Sequence, residues 1–330
     1  MLNLLNTRIL ISGATVLAAA ALIIGATFAF FSDTETSTGN TLAAGAIDLK
    51  VDSEAHYAGL VCQNSVWVDD NPPSTTRQDL VGEECDGTWS LKDLGGDDIF
   101  FNLDDIKPGD EGENTISLHV FDNDAWGRFV ISNVQDLDND CTEPETESSD
   151  PECSITPTPI PGVGELASSL SFHVWLDQGA ILGFQCFNPV NGATGARCSE
   201  DPTEGDNVQQ CISEGNCQEP DLITPGSLDP NGETHNIWEG LALYRASLST
   251  ACNATDGDGD GHAVDESDNY LACHGLADDG RLVGSATYYF GLGWSLPDNV
   301  GNEAQTDSLS ATLSFEVVQQ RNNPNPTFTP

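Results

Sequence analysis

The stretch SATLSFEV (310–317) carries apolar side chains at every second position, from Ala311 to Val317. Successive side chains of a β-strand point to opposite faces of the sheet, so this alternation predicts a strand with one buried face. GAIDLKV (45–51) and TISLHV (115–120) alternate in the same way. All three segments are therefore predicted to be strands that cover a core.

Four further segments are short, rich in aromatic or β-branched residues and bounded by Gly, Asp, Asn or Pro, which is typical of strands. They are RFVISNV (128–134), SFHVWL (171–176), NIWEGLAL (236–243) and ATYYFGLGW (286–294). Helical periodicity is not evident behind the N-terminal region. Many short strands joined by turn-rich spacers predict an all-β fold, an antiparallel β-sandwich.

The composition restricts the partners of the protein. The chain has 330 residues, of which 53 are Asp or Glu and 10 are Lys or Arg, so its formal net charge is −43. A polyanion repels phosphate groups, and the cations are scattered singly, which argues against binding to nucleic acids or anionic membrane surfaces. Because such a charge destabilises a compact fold unless ions screen it, we expect a setting of high salt or abundant calcium, as around a halophilic archaeon.

The N-terminus predicts export. The segment ILISGATVLAAAALIIGATFAFF (9–31) has 23 residues without a charge and must enter a membrane. Thr27 and Ala29 supply small side chains at the positions that a signal peptidase reads, and a polar run begins at Ser32. We predict cleavage between Ala29 and Phe30. The alternative is an uncleaved segment that tethers an ectodomain to the membrane.

The stretch GATFAFFSDTETSTGNTLAAGAIDLKVD (25–52) resembles the precursor junction of the TasA and camelysin family, whose exports are processed by a SipW-type signal peptidase. The resemblance continues in NLDDIKPGD (102–110), in TISLHV (115–120) and in ATLSFEVVQQRNN (311–323). It implies a secreted β-sandwich of jelly-roll type that assembles into extracellular fibres of a biofilm matrix, or into pili.

In similar proteins the freed N-terminal segment of one subunit completes the sheet of its neighbour, so the implied partners are copies of this chain, the signal peptidase, and other matrix or cell-surface components. The donor strand would lie between Phe30 and Leu42, where Phe30 and Phe31 are the only large apolar side chains before Leu42. The predicted organisation is a signal peptide (1–29), the donor segment (30–43), the sandwich (44–320) and a proline-rich tail (321–330).

Four long insertions interrupt the sandwich, at about 57–98, 135–165, 183–234 and 249–281, and they contain all ten cysteines. An even number of cysteines behind an export signal indicates disulfides. Many pairings are open, but consecutive pairing confines each bridge to one insertion. The predicted bridges are Cys62–Cys85, Cys141–Cys153, Cys186–Cys198, Cys211–Cys217 and Cys252–Cys273. Zinc is disfavoured, because no Cys-x-x-Cys pair occurs.

The motif DGDGDGH (256–262) predicts a calcium site, because alternate carboxylates followed by a glycine match the first positions of a calcium loop. Position 12 is Ser267 instead of Glu, so a non-helical Asp-Gly loop is expected; the alternative is a solvated acidic turn. The proposed ligands are Asp256, Asp258, Asp260, His262, Glu266 and Asp268.

A second calcium candidate consists of Asp136, Asp138, Asp140 and Glu147, with Cys141 where the glycine should stand; its alternative is an ordinary acidic loop. Calcium is the only cofactor predicted, and no organic cofactor is expected. Asn253 begins the sequon Asn-Ala-Thr, which predicts glycosylation unless it occurs by chance.

Enzymatic activity is not predicted, although the camelysin branch of the resemblance carries a metallopeptidase label. Neither His-Glu-x-x-His nor Gly-x-Ser-x-Gly occurs, and the six histidines are dispersed. Two non-enzymatic functions remain: a polymerising fibre subunit, and a surface adhesin or tethered ectodomain that does not polymerise. They differ in whether the leader is removed, and we predict the secreted fibre subunit.

Overall fold

The computed structural model describes residues 47–321, with gaps at 71–73, 75, 122, 141, 149–159, 187–197, 214–215, 218, 249–251 and 253–272, together with residues 323, 324, 326 and 328. All described residues belong to one compact unit, Ala46–Pro330.

Strands dominate the described residues. They are β1 (Asp48–Tyr57), β2 (Leu60–Gln63), β3 (Val66–Asp69), β4 (Trp89–Lys92), β5 (Glu111–Phe121), β6 (Ala125–Asp138), β7 (Ile160–Pro161), β8 (Ser171–Leu176), β9 (Cys211–Ser213), β10 (Asn216–Cys217), β11 (Asp221–Gly226), β12 (Glu233–Asn236), β13 (Thr287–Ser295) and β14 (Ser308–Gln319). The helices are α1 (Glu143–Ser148), α2 (Leu166–Ser169) and α3 (Ile237–Ser247), and short 3-10 helices span Gln78–Leu80, Cys198–Glu200 and Asn302–Ala304. None of the described helices is long and apolar enough to span a bilayer.

The strands form two main sheets, and every pairing is antiparallel. The large sheet has the order β11-β8-β13-β5-β1-β2-β3, with β4 also beside β1. The small sheet has the order β12-β6-β14, with β7 beside β6, and β9 pairs with β10 in a separate hairpin. The predicted all-β antiparallel sandwich is therefore confirmed.

The inner faces of the two sheets share one hydrophobic core. Ile116 and Phe290 project into it from the large sheet, and Phe129 and Ile131 from the small one; each is at most 2% exposed. Burying a side chain of this size contributes about 1.5–3 kcal/mol. The alternating segments identified from the sequence supply this core, because period two places their apolar side chains on one face.

The strand predicted at 236–243 is wrong, because that segment begins α3. Its buried side chains are Ile237, Leu241 and Tyr244, which follow the helical spacing i, i+4, i+7. The helix packs closely on the turn at Gly280, where a Cβ atom would lie 1.9 Å from the carbonyl oxygen of Trp238. The aromatic and aliphatic residues that suggested a strand therefore form one face of a helix.

The insertions also contain more regular structure than expected. The insertion at 57–98 carries β2, β3 and β4, and the insertion at 183–234 carries β9, β10, β11 and the first half of β12. The part around 201–207 lies on the outer face of the large sheet, where Gly205 contacts the ring of Tyr289 so closely that a Cβ atom would lie 2.5 Å from it. The insertion at 183–234 thus covers part of the outer face of the large sheet.

Four disulfides join described cysteines: Cys62–Cys85, Cys186–Cys198, Cys211–Cys217 and Cys252–Cys273. All four are consecutive pairs, and each closes within one insertion as the sequence predicts. The fifth predicted bridge involves Cys141 and Cys153, which lie outside the described residues.

Candidate functional site

Among the described residues, strand β14 forms one border of the small sheet and pairs on one side only, with β6. Residues Ser308 to Gln319 run antiparallel to β6, with one register shift between Ser310 and Thr312. In the part of the chain that the structure describes, no strand pairs with the other side of β14. A strand of this length extends for about 40 Å. It therefore presents a long open row of backbone groups.

The core beside this border is only partly covered. Leu313 and Phe315 pack against the core from β14 but remain half-buried, whereas their partners across the ladder, Ile131 and Phe129, are 1% and 2% exposed. Paired residues share a sheet face, so the difference reflects the position of β14 at the border. An additional strand alongside β14 would bury these side chains further.

The other borders are shorter or covered. Beside β3, the amide of Trp67 donates to the carbonyl of Glu83 (2.9 Å), so a following segment lies along that strand. β11 contains Pro225 and two register shifts, and Leu222 on this strand packs against Gly240 of α3. β12 has four residues. Proline, irregular pairing and short length are common protections of sheet edges, and β14 has no proline or lysine.

The motif NLDDIKPGD (102–110) has a structural role through its last residue. The Asp110 carboxylate accepts hydrogen bonds from the Tyr57 hydroxyl (2.5 Å), from Nη1 of Arg77 (3.1 Å) and from the amide of Lys107 (2.8 Å). Arg77 and Asp110 are 3% and 5% exposed. Burial and the hydrogen bond to Asp110 raise the pKa of Tyr57. The motif thus joins β1, the first insertion and the turn before β5.

A group of buried carboxylates, which we name the buried acid cluster, was not predicted from the sequence. Its members are Asp177, Asp201, Glu204 and Glu219, and none is more than 8% exposed. Residues 171–236 contain one cation, Arg197, which lies outside the described residues. No described Lys or Arg in this range can therefore neutralise the cluster.

Three members of the cluster accept hydrogen bonds from backbone amides, which organise the surrounding turns. Asp201 accepts from Ile181 (2.6 Å), Asp177 from Gly205 (2.9 Å), and Glu219 from Gln178 (2.8 Å) and Gln210 (2.7 Å). Backbone amides stabilise a buried carboxylate without a countercharge. These three side chains therefore fix the path of the insertion over the sheet.

Glu204 differs from the other three. Both of its carboxylate oxygens are buried, and neither has a hydrogen-bond partner among the described residues. Burial raises the pKa of Glu204 to about 10, and the fields of Asp201 and Asp177 add to the rise, while the Cys186 amide opposes it without reaching hydrogen-bond geometry. The arrangement favours the neutral carboxylic acid at neutral pH.

The second calcium candidate is divided between the interior and the surface. Asp136 and Asp138 on β6 are 8% and 5% exposed, whereas Asp140 and Glu147 are exposed. Asp307 lies near the two buried residues: burial raises its pKa to about 6, and the fields of Asp136 and Asp138 contribute. Calcium binding at the four predicted residues stays a prediction.

Other predicted sites lie outside the described residues and also stay predictions. They are the calcium ligands Asp256, Asp258, Asp260, His262, Glu266 and Asp268, the sequon residue Asn253, the cleavage positions Ala29 and Phe30, and the donor residues Phe30, Phe31 and Leu42.

The described histidines are dispersed. His56 contacts Glu54 (3.2 Å), His119 contacts Ser117, His173 stacks on Trp175, His235 contacts Glu233 (2.8 Å), and His274 faces the carbonyl of Gln185. Across the described residues, no three His, Cys, Asp or Glu side chains are grouped to hold a metal ion. The residues that the structure describes therefore do not fit a peptidase metal centre.

Ser117 and His119 are adjacent on the outer face of β5, with 2.7 Å between the serine Oγ and Nε2 of the histidine. The carboxylate of Asp52 contacts the same hydroxyl, and Nδ1 of His119 faces Thr287 Oγ1 (3.1 Å). In a catalytic triad the acid binds the far nitrogen of the imidazole. This group has the geometry of a buried polar network between strands.

Comparison with known protein families gives a match for the N-terminal region of the chain. A family model described as Camelysin metallo-endopeptidase matches residues 5–57. The match ends at Tyr57, the last residue of β1, and so covers the leader region, the predicted donor segment and the first strand. The resemblance to the TasA and camelysin family is thereby confirmed over this N-terminal region. A search of curated proteins found no match to the chain.

Proposed function

We propose that this protein is a secreted structural subunit of extracellular filaments, in which residues 30–42 of one copy add a strand to β14 of the next. The observation that carries the proposal is the open border of β14, beside which core-facing side chains are half-buried. The N-terminal family match supports it, because the family resemblance implies fibre assembly through that segment.

The two segments have matching lengths. The donor segment from Phe30 to Leu42 has 13 residues, and β14 has 12. The only charged residue of β14 is Glu316, whose carboxylate is held by Arg128 at 2.6 and 2.7 Å. Little charge therefore opposes a second strand at this border, although the whole chain is strongly acidic.

Backbone hydrogen bonds would fix the register of the donor strand, but they would not by themselves offset the cost of ordering it. Each net hydrogen bond is worth about 0.5–1.5 kcal/mol, while ordering each donor residue costs about 1–2 kcal/mol. Because the donor segment is polar, Phe30 and Phe31 must supply the remaining stabilisation by burial against the exposed parts of Leu313 and Phe315. Assembly should therefore depend on the two phenylalanines and weaken when they are replaced by alanine.

The first experiment examines native extracellular material by electron microscopy and determines the N-terminus of this protein within it. Filaments whose subunits begin at Phe30 or Phe31 would support secretion, leader cleavage and assembly together. An intact Met1 on unpolymerised protein would replace the proposal with its alternative, a membrane-tethered ectodomain.

Hydrogen exchange identifies the acceptor. In filaments the amides of β14 that face away from β6 should gain protection relative to protein from which residues 30–42 have been deleted. β11 is the matched control, because it is also a border strand of the structure. Protection that appears at β11 and not at β14 would refute the assignment of the acceptor.

We also propose that the protein is not an enzyme, in spite of the name of the matching family. The test incubates purified protein with an unfolded polypeptide, with zinc and with a chelator. Chelator-sensitive cleavage that copurifies with the protein would refute this part of the proposal.

A further inference from the structure

The C-terminal tail folds back onto the outer face of the small sheet. The indole Nε1 of Trp126 donates to the carbonyl oxygen of Asn323 (2.7 Å). The ring of Phe328 stacks on Trp238, with 5.8 Å between centroids and 9° between planes, and the guanidinium carbon of Arg128 lies 4.2 Å from the Phe328 centroid. Phe328 is therefore held by an indole and by a cation.

The receiving surface is built by residues that hold one another independently of the tail. Trp126 on β6 packs edge-on against Trp238 of α3, with 5.9 Å between centroids. Arg128 on β6 is fixed by its ion pair with Glu316 of β14. These residues lie on strands and on a helix, so the surface is preformed for an aromatic ring.

The tail follows β14 through a turn and has no covalent tie to the sandwich other than the chain itself. After β14 the chain turns, with the amide of Asn323 donating to the carbonyl of Gln320 (3.0 Å). All cysteines lie between 62 and 273, so no disulfide secures the tail. Pro324 and Pro326 restrict the backbone to extended conformations, which reduces the entropy lost when the segment docks.

We propose that Trp126, Arg128 and Trp238 form a recognition site for an aromatic side chain in a proline-rich extended segment. Phe328 of the same chain fills it, and the C-terminal segment of a second copy can fill it instead. The exchange needs only a rearrangement of the turn at Gln320, because the same contacts form in both arrangements. This inference does not depend on filament assembly through the N-terminus.

The first test uses the full chain carrying F328A, whose tail lacks its anchor, and a synthetic peptide NNPNPTFTP (322–330). Calorimetry and tryptophan fluorescence should show saturable 1:1 binding. The affinity of the peptide for the wild-type chain should be at least about tenfold lower, because the tail of that chain competes for the site. A peptide with alanine at the position of Phe328 should bind F328A about tenfold more weakly than the original peptide. Absence of binding to folded F328A would overturn the proposal.

The second test asks whether the segment is exchanged between copies. W238A removes the receiving surface but keeps the tail, whereas F328A keeps the surface but loses the anchor. Light scattering should detect a heterodimer in the mixture and not in either variant alone. If W238A does not fold, R128Q replaces it, because that change also weakens the surface. Peptide binding without a heterodimer would overturn the exchange between copies.

Discussion

Replacing Glu204 by glutamine tests whether the buried acid cluster contains a neutral carboxylic acid. The pKa of Glu204 is raised to about 10 in the fold, against about 4.3 in an unfolded chain. The native state therefore retains a proton that the unfolded state releases between these values. The contribution of Glu204 to the free energy of unfolding is fully present below the unfolded pKa and decreases as the pH rises. The reason is that Glu204 ionises in the unfolded state and stays protonated in the native state.

The expected magnitude follows from the two pKa values. Each pH unit above the unfolded pKa costs the wild type about 1.4 kcal/mol. Between pH 5 and pH 7 the cost grows by about 3 kcal/mol. E204Q has no ionisable group at this position, so its free energy of unfolding relative to wild type should rise by that amount. Any fixed cost of burying the amide cancels from the difference between the two pH values.

The assay is urea unfolding at pH 5, 6 and 7 in about 1 M salt, which screens the net charge of the chain. E200Q is the matched control, because Glu200 is exposed and belongs to the same insertion. Its difference from wild type should stay within about 0.5 kcal/mol. If E204Q is less stable at pH 7 than at pH 5 relative to wild type, the carboxylate is charged in the fold and held by a positive partner, which refutes the reasoning.

Three further changes test other parts of the structure. R77A should lower the free energy of unfolding by about 3–5 kcal/mol, because it leaves Asp110 buried without its cation; an equal loss for the exposed control R321A would contradict this explanation. D258A should weaken calcium binding measured by calorimetry, and unchanged binding would remove the site predicted at 256–262. Intact mass after alkylation of the unfolded, unreduced protein should show no labelled thiol, whereas labelled cysteines would refute the proposal of five bridges.

The sequence predicts the strands with alternating apolar residues well, because their environment is periodic. TISLHV (115–120) lies within β5, in the middle of the large sheet, and SATLSFEV (310–317) lies within β14. In both strands one face contacts the core, so the alternation of apolar and polar residues in the sequence predicts the strand and its buried face. The segment at 236–243 is predicted wrongly because aromatic and aliphatic residues suit a strand or a helix over so few residues. Its helical spacing becomes evident only with Tyr244, which lies beyond the segment.

The buried acid cluster could not be predicted from the sequence for a different reason. With 53 acidic residues in the chain, nothing distinguishes Glu204 from an exposed carboxylate such as Glu200. Burial depends on how the insertion folds over the outer face of the large sheet, and that depends on amide donors distant in sequence, such as the amide of Gln178 that binds Glu219. Long-range backbone contacts of this kind leave no local pattern.

The open border at β14, which is the proposed assembly edge, could not be predicted from the sequence either. A local pattern predicts that a segment is a strand, but it does not predict which strands lie beside it. The first insertion and α3 account for the contrast between the borders of the large sheet and the border at β14. The first insertion returns along β3, where the Cys62–Cys85 disulfide secures it, and α3 packs beside β11. Without these elements the large sheet would expose borders of its own, each able to pair with another chain. In the proposed assembly, covered borders of the large sheet and an open border at β14 would restrict strand addition to one edge, which a linear filament requires if it is to form in place of an aggregate.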